Sequence, residues 1–241
     1  MNKKKFKKSL KAAWHFVWEE DSIASWIVNI VLAFVLIKFI IFPGLGFVMQ
    51  TTHPIVAVVS GSMEHKAVHQ CKIYDAMKQC ALKDKNSFQL CGEKFTSKPR
   101  VNFDFYWKTC GDYYENIDIS KDSFSDFSFK NGFNTGDIII LVGTKPENVK
   151  IGDVIVFQAT QAYPIIHRVT KKKIENNRLI FETKGDHNEI QTPDDIKIDQ
   201  DQIIGKAIIR IPYLGWIKIG AFKLLNWVGV FKLTTFINSK F

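Results

Sequence analysis

The run from Ile23 to Phe42 constrains this chain more than any other part of it. It is twenty residues long, and Ser25, Asn29 and Lys38 are its chief polar interruptions. At ~1.5 Å per helical residue it reaches about 30 Å, the hydrocarbon thickness of a bilayer. Lys38 lies near the end, where a long side chain can extend its ammonium to the interface. A cleavable leader has a shorter apolar core, ~7–15 residues, and closes on a small-residue cleavage site. Here Pro43-Gly44-Leu45-Gly46 follows instead, so a retained anchor is expected.

Charge orients that anchor. The formal net charge is +9, and Lys3, Lys4, Lys5, Lys7, Lys8 and Lys11 all precede the run. Basic residues flank membrane segments on the cytoplasmic side, so residues 1–22 read as a basic cytoplasmic tail and everything after Phe42 as translocated. No nucleic-acid motif accompanies the charge, and no nucleic-acid partner is expected. The whole chain is 46% hydrophobic with twenty Phe, and the part after Phe42 is long enough to build a packed core.

Strand signals set the soluble architecture. Ile55 to Val59 is a short β-branched run between Pro54 and a Ser-Gly-Ser turn, placing Ser62 where a strand gives out. Thr135-Gly136-Asp137 introduces Ile138 to Val142, and Ile151-Gly152-Asp153 introduces Val154 to Phe157. Asp137 and Asp153 are assigned to these turns. Ile165 to Val169, Arg178 to Thr183 and Ile203 to Ile211 complete a set that predicts a mainly β protein with a compact, mostly antiparallel sheet or barrel.

Between these runs, residues 65–134 form a mixed polar and aromatic insertion or cap containing all four cysteines, Cys71, Cys80, Cys91 and Cys110. Outside the cytoplasm these allow two disulfides in any of three connectivities. His65, His69 and Cys71 match no standard zinc spacing, so no metal is assigned. The chain thus divides into 1–22 tail, 23–42 transmembrane anchor, 43–64 nucleophile strand and loop, 65–134 insertion, 135–212 β-rich core, and 213–241 apolar C-terminal segment. Lys218, Lys223 and Lys232 make that last segment a better interfacial helix than a second span.

Ser62 requires a neighbouring base to act as a nucleophile near neutral pH, and His167, on a strand, has the right proton affinity. An aspartate could then orient the imidazole. The segments Val59-Ser60-Gly61-Ser62-Met63-Glu64, Gly152 to Phe157, Ile166-His167-Arg168-Val169, Thr183-Lys184-Gly185-Asp186-His187-Asn188, Ile204-Gly205-Lys206 and Ile211 to Gly215 occur in one order behind the anchor. In this the chain resembles the type I signal peptidases, specifically their archaeal and endoplasmic-reticulum-like branch, which uses His where most bacterial members use Lys.

The resemblance implies a signal-peptidase-like antiparallel β catalytic domain at the outer membrane surface, with Ser62 as nucleophile and His167 as general base. It implies an acyl-enzyme pathway with no cofactor, and Ser60 as a second oxyanion donor beside the Ser62 backbone N–H. The family's second aspartate falls on Thr192 here, so Asp194 is expected to orient His167, with Asp186 supporting the site and Asp195 in reserve. His15, His53, His65, His69 and His187 receive no catalytic role.

The expected function is therefore a membrane-anchored serine endopeptidase that removes signal peptides from exported preproteins. Its expected partners are those signal peptides, the lipid bilayer and the protein translocation channel. It would reside in the cell membrane, or in the endoplasmic-reticulum membrane of a eukaryote, with one or two spans and an extracytoplasmic catalytic domain. The alternative is a non-catalytic anchored binding protein that uses the cysteine-containing insertion to hold an extracytoplasmic partner.

Overall fold

The computed structural model describes residues 3–74, 80–160, 163–217 and 220. The chain divides into two compact units, Met1–Met49 and Gln50–Phe241.

In the first unit the basic stretch is helical, α1 (Lys3–Trp18), and is followed by α2 (Ile23–Leu36). Two of the polar residues that interrupt the apolar run are used at this junction. Ser25 Oγ donates to the Phe16 carbonyl at 2.6 Å and Asn29 Nδ2 donates to the Val17 carbonyl at 2.8 Å. These carbonyls belong to the last turn of α1, which has no helical N–H to accept from.

The apolar helix does not stop at Phe42 as expected. A π turn (Ile37–Ile41) carries α2 into α3 (Phe42–Met49), giving an apolar helix of 27 residues, Ile23–Met49, long enough to cross a membrane. Pro43 has no N–H and its ring would clash with a carbonyl four residues back. The widened turn in front of it, with the Phe42 N–H on the Ile37 carbonyl, lets the helix pass the proline. The helix ends at Gln50, whose φ of 53° is left-handed.

The second unit contains a seven-stranded sheet and a three-stranded one. In chain order the strands are β1 (Ile55–Ala57), β2 (Val68–Tyr74), β3 (Cys80–Leu90), β4 (Glu93–Phe95), β5 (Ile138–Val142), β6 (Val154–Phe157), β7 (Ile165–Glu175), β8 (Arg178–Lys184), β9 (Ile198–Asp199) and β10 (Ile203–Ile211). The large sheet runs β1-β5-β10-β6-β7-β8-β9, antiparallel at every pairing. The mainly β, antiparallel architecture expected from the strand signals is present, with an apolar helix ahead of it.

Strand β6 shows how the sheet is buried. All four of its residues are inside, with Val154 and Val156 in one apolar cluster beside Val58, Met63 and Leu141, and Ile155 and Phe157 in another beside Val169 and Phe181. Alternate residues of a strand face opposite sides, so an unbroken apolar run belongs where both faces are covered. The two Gly-Asp steps are turns, as read from the sequence. Gly136 (φ 89°) and Gly152 (φ 90°) take a left-handed conformation open to glycine, and each following carboxylate closes its turn. Asp137 Oδ2 accepts the Asn134 N–H at 2.7 Å and Asp153 Oδ2 accepts the Lys150 N–H at 2.9 Å.

Within 65–134 the sequence builds its own core. Strands β2, β3 and β4 form the small sheet, and two helices follow, α4 (Phe103–Glu115) and α5 (Lys121–Ser125). Asn102 and Ser120 cap them by accepting the Phe105 and Ser123 N–H groups. Tyr106, Trp107, Cys110 and Tyr114 share the buried face of α4 and pack with Phe124, Leu90 and Ala67. Cys91 and Cys110 form a disulfide with a Cα–Cα distance of 5.5 Å, and Cys71 is disulfide-bonded as well. The interfacial helix expected over 213–241 lies, beyond residue 217 and apart from Gly220, outside the described residues.

Candidate active site

Ser62 stands in the loop that leaves β1, and backbone hydrogen bonds pin this loop on two sides. The Ser62 carbonyl accepts the His187 N–H at 2.8 Å, and the Met63 carbonyl accepts the Phe133 N–H at 3.1 Å. Buried Met63 anchors the turn in the core, and Glu64 accepts the Thr135 N–H at 2.8 Å. Ser62 Oγ is partly exposed and lies 3.3 Å from Ser60 Oγ.

His167 comes from β7, paired opposite Ile155 of β6, and is 4% exposed. Its Nδ1 meets Asp195 Oδ1 at 2.6 Å. A carboxylate can only accept, so in the neutral ring Nδ1 carries the proton and Nε2 is left as the acceptor. Nε2 faces the chain at Gly185: a methyl group placed on that glycine would stand 2.8 Å from His167 Nε2 and 2.8 Å from the Ser62 carbonyl oxygen. The ring and the Ser62 backbone are thus neighbours across a gap that the bare glycine keeps narrow.

The acid on His167 is Asp195, and the expectation of Asp194 is corrected here. Pro193–Asp195 is a single 3-10 turn whose N-cap is Thr192. Asp195, three residues on, reaches back so that its Oδ2 accepts both the Thr192 N–H (2.9 Å) and hydroxyl (2.6 Å), and this points Oδ1 at His167. Thr183 also donates to Oδ1, at 2.5 Å. Asp194 lies outside this turn's inner face and accepts from Thr160 Oγ1 at 2.7 Å. Burial pushes the Asp195 carboxyl up, but the hydrogen bonds from His167, Thr183 and Thr192 prevail and hold it below the usual carboxylate range.

Asp186 is neither on His167 nor on Ser62. It is fully buried behind them, in a bidentate pair with Arg168: Nε to Oδ1 at 2.9 Å and Nη2 to Oδ2 at 2.7 Å. The remaining Arg168 N–H groups go to the carbonyls of Ser128 and Gly152 (2.8 Å each) and of Phe129 (2.9 Å), so all five guanidinium donors are used. The guanidinium carbon lies 4.8 Å from the centre of the Phe124 ring. Burial opposes ionisation of Asp186, yet the Arg168 charge and the His65 hydrogen bond outweigh it and hold the carboxyl far below the usual range.

Several residues that no sequence motif marks as functional surround Asp186. His65 Nε2 lies 2.9 Å from Asp186 Oδ2, and its ring stacks on Tyr106 at 3.6 Å. Burial lowers its proton affinity despite the nearby carboxylate. Tyr114 donates to Asp186 Oδ1 and Tyr106 to the Asp186 carbonyl, both at 2.9 Å. Lys184 is fully buried against the Tyr113 and Tyr114 rings and donates to the Gly185 carbonyl at 3.1 Å. Burial pulls its pKa down to about 8, against the attraction of Asp186 and Asp195. Arg168 could have been flagged, since alternation along β7 turns it to the face opposite His167. His69, weighed as a metal ligand, instead places Nδ1 2.9 Å from the Asp84 carbonyl.

Among the proteins this chain aligns with are signal peptidase complex catalytic subunits. It is 29% identical over 99 residues to the SEC11C subunit of Homo sapiens, 38% of this chain and 52% of that protein. It is 35% identical over 104 residues to SEC11 of Eremothecium gossypii and 26% identical over 102 residues to SEC11 of Candida tropicalis, in each case 38% of this chain and 59% of the relative. The chain is a homologue of these subunits. It spans about half the length of the curated relatives it matches. No family model matches it. The homology agrees with the endoplasmic-reticulum-like branch of the type I signal peptidases read from the motifs.

Proposed function

We propose that the protein is a membrane-anchored serine endopeptidase that removes signal peptides from preproteins. The observation that carries this reading is His167: its Nδ1 is held by buried Asp195 while its Nε2 faces the Ser62 backbone across Gly185. As base, His167 takes the Ser62 proton while Oγ attacks the scissile carbonyl, and then returns that proton to the leaving amine. Water, activated by the same Nε2, releases the acyl group from Ser62. The Ser62 N–H and the Ser60 hydroxyl, 3.3 Å from Ser62 Oγ, are the donors proposed for the tetrahedral oxyanion. Asp195 orients the ring, and Asp186 supports the site from behind.

The substrate would enter as an extended segment. Strand β1 lies at the end of the large sheet, paired with β5 on one side, so a cleavage-site peptide can add to its other edge and lead to Ser62. The apolar helix Ile23–Met49 would hold the enzyme in the same bilayer as the signal peptide's apolar core, raising their effective concentration. With basic α1 on the cytoplasmic side, the catalytic unit is extracytoplasmic and within reach of a translocation channel.

The test uses the full chain in detergent with a preprotein carrying an intact signal peptide. Wild type should give one cut, after a small residue, located by mass spectrometry. Ser62→Ala and His167→Ala should each give none while retaining the wild-type circular dichroism spectrum. Cleavage by purified Ser62→Ala would refute the nucleophile, and a wild-type protein that retains the preprotein uncut would make it a binding protein.

A further inference from the structure

The segment 65–134 does more than surround the site: its hydrogen bonds converge on one short loop, Gly185 to Asn188. Tyr106 donates to the Asp186 carbonyl and Tyr114 to Asp186 Oδ1, each at 2.9 Å, from the same face of α4. From the turn between β3 and β4, the Cys91 N–H donates to the His187 carbonyl at 3.1 Å. Cys91 is also joined to Cys110 of α4, so the turn and the helix that grip the loop are bonded to each other. Both tyrosines are fully buried, which leaves their hydroxyls no solvent alternative to Asp186.

That loop stands between the His167 ring and the Ser62 backbone. The His187 N–H holds the Ser62 carbonyl at 2.8 Å, and Gly185 stands against His167 Nε2 and the Ser62 carbonyl together. A shift of Asp186 therefore moves the Ser62 loop relative to the imidazole. Reacting groups must be held within about 0.5 Å of their productive geometry, and a misplacement of ~1 Å can cost about a hundredfold in rate.

We propose that Tyr106 and Tyr114 are positioning residues for proteolysis: cross-linked to β3–β4 through Cys91–Cys110, they fix the Gly185–Asn188 loop and thereby the register between Ser62 and His167. This rests on the proposed Ser62–His167 peptidase. The insertion is then a part of the catalytic apparatus that acts from behind, through the loop, without touching substrate.

The experiment measures kcat and KM for preprotein cleavage by Tyr106→Phe, Tyr114→Phe and the double variant, in the full detergent-solubilised chain, with rates divided by the folded fraction. Each Phe keeps the packed ring and removes the hydroxyl. Ser87→Ala is the control, because Ser87 Oγ bonds Gln70 within the same insertion, away from the loop. We expect kcat to fall about threefold to tenfold for each single variant and further for the double, with KM within twofold of wild type and Ser87→Ala unchanged. A second arm, Cys91→Ser with Cys110→Ser, should lower kcat in the same sense. Wild-type kcat in the double Phe variant, or a loss that vanishes once rates are divided by the folded fraction, would overturn the proposal. Ser62→Ala, run alongside, separates the two claims: if it cleaves, the peptidase reading fails, whereas if it is inactive and the Phe variants are at full rate, the positioning role alone fails.

Discussion

His167 Nδ1 lies 2.6 Å from Asp195 Oδ1, inside a shell where Thr183 and Thr192 also donate to the same carboxylate. With three side-chain donors the carboxylate has little freedom to rotate, and so neither has the imidazole. The neighbouring Asp194 accepts from Thr160 on the other side of the turn. Of these two adjacent carboxylates, Asp195 bonds the ring and can set its tautomer, while Asp194 bonds Thr160.

Asp195→Asn should therefore lower kcat by about 10²–10⁴, since an amide can present its N–H to Nδ1 and stabilise the wrong tautomer. Asp194→Asn should leave kcat within about twofold. Steady-state cleavage assays on the two variants decide the assignment, and a reversed order would return it to Asp194.

Gly185→Ala should reduce cleavage sharply while costing about 1–3 kcal/mol of stability, because the new methyl group meets His167 Nε2, the Ser62 carbonyl and Asn188 Nδ2 at 2.8 Å each. The carbonyl belongs to the backbone and cannot swing aside as a flexible side chain could. A rate equal to wild type would mean that the ring and the Ser62 loop need no such close approach.

Removing one partner of the Arg168–Asp186 pair leaves a buried, uncompensated charge, so Asp186→Asn should cost roughly 3–5 kcal/mol in chemical denaturation. The sign of its pH dependence follows from a depressed native pKa. The stabilisation is fully present above the unfolded carboxylate value of ~3.9 and is lost as pH falls below it. Wild type should thus lose stability on acidification beyond what Asp186→Asn loses, a difference read from denaturation midpoints between about pH 5 and about pH 2.5.

Lys184 gives the opposite end of the pH scale. Its native pKa of about 8 is below the unfolded value of ~10.4, so the unfolded chain binds more protons in between and stability should rise with pH across that window. Lys184→Met should remove that rise, worth up to about 3 kcal/mol, and a variant whose stability climbs as steeply as wild type would place the titration elsewhere.

The large sheet was readable because its strands are β-branched runs bounded by Gly-Asp turns, and both signals are local. Ser62, at the end of such a run, and His167, within one, stand out through the motifs that carry the family resemblance rather than through local signals. The insertion was not readable, since its order comes from aromatic side chains packing over distances that no short window contains: Tyr106 and Tyr114 meet Asp186 across more than seventy residues of chain. Counting from the family spacing favours Asp194 over Asp195, which lies one residue further on. A better signal was present in Thr192 and Asp195 themselves, whose three-residue separation is that of a capping box. The helix was drawn too short at Pro43, because a π turn that carries a helix through proline leaves no composition signature.

Strand β10, the last of the strands among the described residues, lies between β5 and β6 near the middle of the large sheet. The half bearing β1 and the Ser62 loop and the half bearing β7 and His167 are joined in the hydrogen-bonded ladder through it. A nascent chain that has emerged as far as Asn188 already contains both Ser62 and His167, yet its sheet is still in two pieces. Under the proposed function, competence waits for translation to pass Ile211, and a ribosome stalled earlier displays two open β edges.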